Sequence, residues 1–255
     1  MSTYDEIQAL VKTAREAEGP ERQKALCNLW LLDAPLDAKA QDFLEQVFIS
    51  VGRDTAGDLQ LFQSVSVALA KYGDLQRMVA GEFLWPRLIR WVEEVAVMPS
   101  STGGKADLGD LLAFEALAGL SRFLEHRSEV SGELIRIVGE PDHKGAAERF
   151  SDLQKEIHRY LRDDALIAVG ALGDQNGADF LKRWRDNGNL SAAAALEHFG
   201  RPFDAIKEAL SALEEQGKKE GDPEGSEAAA VKQCTRCRCA IPMDALFCTQ
   251  CGAKQ

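Results

Sequence analysis

No stretch of this chain approaches the roughly 18 uninterrupted apolar residues that a membrane span requires. Its start, Met1-Ser2-Thr3-Tyr4-Asp5-Glu6, has neither the basic nor the apolar segment of a signal peptide. Both absences lead to the expectation of a cytoplasmic protein that makes no membrane contact. Also missing are His-Glu-x-x-His spacing, a Gly-x-Ser-x-Gly elbow, a phosphate-binding glycine loop and a dinucleotide fingerprint. The histidines His126, His143, His158 and His198 stand far apart and read as surface or helix-end residues rather than bases. A non-enzymatic protein is therefore expected, with a catalytic pocket assembled from distant positions of the helical body as the alternative.

Cysteine is nearly absent from most of the chain. Of six, Cys27 stands alone in the run Ala25-Leu26-Cys27-Asn28-Leu29-Trp30, and the other five crowd between positions 234 and 251. A secreted disulfide scaffold would spread them through the fold. Cys27 reads as an inert core thiol, since free cysteine packs like a small hydrophobe. Positive charge is also in deficit: the net charge is −11, with 24 basic against 34 acidic residues over 1–213 and two against six over 214–231. From Lys232 onward the sign reverses, with Lys232, Arg236, Arg238 and Lys254 against Asp244. An acidic body repels phosphate backbones, so nucleic acid is disfavoured as a partner and only the short tail begins to supply a basic face.

What the chain does have is apolar residues at helical spacing, with 45% of its residues hydrophobic and little strand-like alternation. Ile7, Leu10, Val11 and Ala14 share one face; Leu26, Leu29, Trp30 and Leu31 share the next; Phe43, Val47 and Phe48 a third. The pattern continues through Leu61–Leu69, Leu84–Val95, Leu111–Leu124, Leu134–Val138, Phe150–Leu161, Leu166–Leu172, Phe180–Trp184, Ala192–Phe199 and Ile206–Leu213, predicting about a dozen helices. Short breakers such as Gly19-Pro20, Gly73-Asp74 and Gly200-Arg201-Pro202 suit helical hairpins. The longer break Pro99–Lys105 reads as a surface loop or a seam between two halves.

Three turns resemble one another: Ala68-Leu69-Ala70-Lys71-Tyr72-Gly73-Asp74, Val169-Gly170-Ala171-Leu172-Gly173-Asp174 and Ala194-Ala195-Leu196-Glu197-His198-Phe199-Gly200. In each, a helix of small and aliphatic residues runs into a glycine suited to a left-handed cap. Gly173 and Gly200 lie 27 residues apart, close to one short hairpin. The pattern resembles HEAT-type repeats, most clearly over 163–213. The expected fold is all-α, with a helical-hairpin body over 1–213 that is either a HEAT-like solenoid or an irregular bundle.

Residues 214–233 have scarcely an aliphatic side chain to bury and read as a flexible acidic linker. Beyond it, Cys234-Thr235-Arg236-Cys237, ten residues, and Cys248-Thr249-Gln250-Cys251 supply two tight knuckles, whose four thiolates match the ligand set of a tetrahedral structural site. With Ile241, Met243, Leu246 and Phe247 as its sizeable apolar groups, so short a segment needs metal binding for most of its folding energy.

Residues 234–255 resemble the zinc-ribbon module appended to many prokaryotic proteins. That resemblance implies that the Ile241-Pro242 stretch enters a hairpin and that Cys234, Cys237, Cys248 and Cys251 bind one structural Zn²⁺. The pattern departs at Arg238, where the family has glycine, and Cys239 adds a fifth thiol that reads as a bystander. Iron is the rival metal, but rubredoxin-like sites place more chain between their pairs. Four protein ligands leave no open position for water or substrate, which argues against a catalytic metal. Ubiquitin- and RNA-binding fingers carry a tryptophan before the first cysteine and a mid-loop asparagine, and this tail has neither.

Two clusters mix aromatic and basic residues: Trp85-Pro86-Arg87-Leu88-Ile89-Arg90-Trp91 and Phe180-Leu181-Lys182-Arg183-Trp184-Arg185. Each reads as core plus solvated face, or more sharply as a protein-binding hot spot. The expected function is a non-enzymatic protein-binding adaptor with the ribbon as a tethered second contact. The alternatives are a nucleic-acid-associated protein with the ribbon as reader and an enzyme with an unmarked pocket.

Overall fold

Helices form where apolar spacing and capping residues coincide. The computed structural model describes residues 3–32, 35–53, 58–77, 81–97, 108–139, 152–220, 231–233 and 240–242. Over these the fold is all-α apart from one short strand pair. The helices are α1 (Thr3–Glu16), α2 (Gly19–Trp30), α3 (Ala38–Arg53), α4 (Leu59–Tyr72), α5 (Gly81–Val97), α6 (Leu108–Leu120), α7 (Arg127–Gly139), α8 (Asp152–Leu172), α9 (Gln175–Asp186), α10 (Leu190–Glu197) and α11 (Phe203–Glu220). A 3₁₀ turn, Leu124–His126, precedes α7. The strands β1 (Val231–Gln233) and β2 (Ala240–Pro242) pair antiparallel, with Lys232 opposite Ile241. The chain divides into two compact units, Met1–Ser211 and Ala212–Gln255.

Side chains that accept backbone N–H bonds start several helices. Asp37 caps α3 through the Ala40 amide at 2.8 Å, Asp58 caps α4 through Leu61 at 3.1 Å, and Asn189 caps α10 through Ala192 at 2.8 Å. Asp174 caps α9 through the Asn176 amide and also accepts from the Ser128 hydroxyl at 2.8 Å, which ties α7 to α9.

Within the first unit the helices form five successive hairpins, α1/α2, α3/α4, α5/α6, α7/α8 and α9/α10. Each helix packs on its hairpin partner. Even-numbered helices also pack in sequence, α2 on α4, α4 on α6, α6 on α8 and α8 on α10, while α5, α7 and α9 form a matching outer row. This is a solenoid-like stack, irregular because the hairpins begin at Thr3, Ala38, Gly81, Arg127 and Gln175, spacings of 35, 43, 46 and 48 residues.

The core lies mainly along the even row. From Leu61 to Ala70 every α4 residue except Gln63 is buried, because α2 and α6 flank the helix while α3 lies behind it. Leu69, Leu84, Leu88, Leu117, Leu120, Leu134 and Leu166 are fully enclosed, and each such burial contributes about 1.5–3 kcal/mol.

The three similar turns occupy equivalent places at the C-terminal ends of α4, α8 and α10. The left-handed cap is present at Gly173 (φ 66°) and Gly200 (φ 74°) but not at Gly73 (φ −74°), where the chain leaves α4 in an extended conformation. The small residues serve close approach. A β-carbon on Gly170 would lie 2.6 Å from that of Ala195, and the Gly200 amide donates to the Gly170 carbonyl at 2.9 Å.

Two boundaries differ from the sequence expectation. The segments Phe150–Leu161 and Leu166–Leu172 form one helix, α8, whose described part begins at Asp152. The charged residues between them find partners on other elements: Arg162 lies over Trp184, Asp163 accepts from Asn189 at 3.1 Å, and Asp164 pairs with Lys207 at 2.6 Å. At the other end, α11 runs on to Glu220, past the 213 boundary. Glu214/Lys218 and Glu215/Lys219 have the i,i+4 order that favours helix.

Candidate metal centre and helical surface

Cys234, Cys237, Cys248 and Cys251 lie outside the described residues, as does Cys239. The described strands β1 and β2 bracket 234–239 in sequence, and Ile241 and Pro242 belong to β2. Among the described residues no group of three or more His, Cys, Asp or Glu side chains is placed to hold a metal ion. The candidate metal centre therefore rests on the tail.

Cys27 is half-buried on α2 rather than fully in the core, and burial raises its thiol pKa. A raised pKa keeps the thiol protonated and poorly nucleophilic at neutral pH. His126, His158 and His198 are half-buried, His126 with its ring 6.0 Å from that of Trp85, while His143 lies outside the described residues.

Polar side chains stitch successive hairpins together. Arg22 on α2 donates to both carboxylate oxygens of Asp58 at 2.6 Å, to Gln60 at 2.6 Å and to the Ala14 carbonyl at 3.0 Å. Lys71 on α4 bonds Glu115 on α6 and the Trp30 carbonyl at the end of α2. Arg122, after α6, donates to the Ala70 and Gly73 carbonyls at the end of α4. Further along, burial raises the pKa of Asp164 despite the opposing effect of Lys207, with Asp163 and Glu115 adding to the rise. These residues satisfy one another across helix seams, which is structural work.

The two aromatic-basic clusters divide differently. On α9, Phe180 and Leu181 are buried and Trp184 is half-buried; Lys182 pairs with Asp179 and Arg185 with Asp186, while Arg183 is exposed and lies over the Phe180 ring at 5.7 Å. On α5, Leu84, Leu88 and Val92 are buried, and Trp91 meets Phe62 edge-on at 5.9 Å. Arg87 lies over Phe62 and Phe48 at 5.0 and 5.9 Å, while Arg90 is exposed and forms no ion pair among the described residues. The outer stripe of α5 also presents Phe83, 66% exposed. Sequence reading passed over Phe83, although Phe83, Arg87 and Arg90 follow i, i+4, i+7 spacing and so share one face.

No known protein family, curated protein or solved structure matches the chain. Among the described residues no helix is long and apolar enough to cross a membrane. Fold and packing define the class of an all-α protein built of stacked helical hairpins.

Proposed function

We propose that this protein is a non-enzymatic adaptor whose hairpin stack binds a protein partner and whose tail adds a second contact through a zinc ribbon. The observation carrying this reading is the stack itself. Five hairpins packed on their neighbours present long rows of parallel helices, the kind of extended surface that stacked-repeat proteins offer to other chains. The HEAT-type resemblance belongs to the same proposal, supported by the equivalent placement of the three similar turns.

For the tail, the donor set fits a structural zinc: four cysteines in two Cys-x-x-Cys pairs suit a borderline-soft cation that prefers tetrahedral sulfur. Cys234, Cys237, Cys248 and Cys251 would hold it, and the antiparallel pairing of β1 with β2 around the first pair agrees with a ribbon. The metal would supply folding energy, with no ligand position left for chemistry. Two modest contacts on one chain raise avidity through effective concentration, which gives the segment between them a purpose.

Affinity purification from native lysate tests the reading, comparing the full chain with a variant carrying serine at all four cysteines. Expected is a defined partner set that the variant retains only in part. An empty set for both chains overturns the adaptor, and salt-sensitive recovery of RNA or DNA in place of protein moves the reading to nucleic acid.

A further inference from the structure

We propose that the outer face of α5, centred on Phe83, Arg87 and Arg90, is the docking surface for an acidic amphipathic peptide segment of the partner. This rests on the adaptor reading and names the chemistry of what is bound. Charge complementarity selects the occupant. On a chain of net charge −11, carboxylates pair with Lys12, Arg22, Lys71, Arg136, Lys182, Arg185 and Lys207 among the described residues. Among the described residues, Arg87 and Arg90 are exposed without a carboxylate partner, and Glu94, one turn beyond Arg90, forms no ion pair with it. Two arginines without an ion pair thus lie beside Phe83 on one stripe, with Glu94 at its far end.

The apolar half of the surface is equally open. Phe83, on the same stripe as the two arginines, is 66% exposed. Beside it, Arg87 lies over Phe62 and Phe48, and Phe62 is stacked on Phe48 and meets Trp91 edge-on. A guanidinium already held over aromatic rings loses little freedom when a carboxylate arrives. An exposed aromatic side chain beside arginine is the composition in which interface cores are enriched. Glutamate or aspartate on one side of a short helix, and leucine or phenylalanine on the other, would satisfy both halves. A polyphosphate chain fits less well, because two arginines release few counterions and the surrounding body repels it.

Fluorescence anisotropy with the full chain tests this. The probe is a fluorescein-labelled peptide of glutamates with leucine and phenylalanine at helical spacing, set against the same peptide with lysine for glutamate. The acidic peptide should bind and the lysine peptide should not. R90E and R87E/R90E should weaken binding about tenfold or more, and F83A should weaken it severalfold, with melting of R90E and F83A unchanged. R183E/R185E should bind like the parent. Failure of the parent to bind the acidic peptide, equal binding by R90E, or preference for oligouridine overturns the proposal. The R90E chain is also carried through the co-purification. Partners held equally by parent and R90E sink this face while leaving the adaptor standing, and a parent that holds no partner sinks the adaptor itself.

Discussion

Gly119 of α6 lies against Ala70 of α4 so closely that a β-carbon on the glycine would sit 2.7 Å from the alanine's own. The same relation recurs two hairpins on, where Gly170 meets Ala195. Small side chains on both partners let successive helices of the even row approach almost backbone to backbone. A side chain added there has nowhere to go, because the neighbouring atoms belong to a packed seam rather than to a flexible tip.

Gly119→Val should therefore destabilise the first unit by about 1–3 kcal/mol through overpacking. Urea denaturation followed by far-UV circular dichroism measures it. Gly132→Ala, in α7 where a β-carbon meets nothing within 4 Å, should be neutral or slightly stabilising. Equal loss from both substitutions would mean that the α4–α6 seam is not tight.

Asp58 serves two purposes, capping α4 and accepting two of the four hydrogen bonds that Arg22 donates. Asp58→Ala should thus cost about 1 kcal/mol for the lost cap in addition to whatever its bond with Arg22 contributes. A double-mutant cycle isolates the shared part. A coupling energy near zero would show that the pair contributes nothing.

Asp164 gives a pH signature of unusual sign. Its carboxyl is raised above 3.8 by burial, so the folded state takes up this proton at a higher pH than the unfolded chain does. The ionised carboxylate accordingly weighs against folding at neutral pH, and that penalty fades as pH falls through the raised value. Asp164→Asn should melt higher than the parent at pH 7, with the gap closing towards pH 3.8. A gap that widens on acidification would mean the Lys207 pairing dominates.

Removing metal should separate the two units. Native mass spectrometry of freshly reduced protein should find one zinc per chain, lost when Cys234 and Cys237 become serine. Chelation should leave the melting of the helical body unchanged while opening the tail to protease. Full protection of the tail after chelation would count against a metal-built module.

Periodicity and breakers were enough to read most helices, because each buries one stripe against a neighbour. The repeat was visible at the ends of α4, α8 and α10 but not at α6, whose equivalent segment Ala116-Leu117-Ala118-Gly119-Leu120 runs into Ser121-Arg122 instead of a glycine turn. There the Arg122 guanidinium bonds the end of α4, a long-range contact that local pattern cannot reveal. Arg162-Asp163-Asp164 misled for a related reason, since three charges look like a break until their partners on α9, α11 and the turn before α10 are known. The four cysteines proposed to hold zinc stand out by spacing alone, and the α5 face required exposure and ion pairing to be seen.

A body whose hairpins touch chiefly those next to them in sequence forms its contacts over short stretches of chain. Folding can then begin at any hairpin and spread like a closing zip, without waiting for distant ends to meet. The same layout tolerates gene-level gain or loss of a whole hairpin, because a new unit needs to match only the surface it stacks upon.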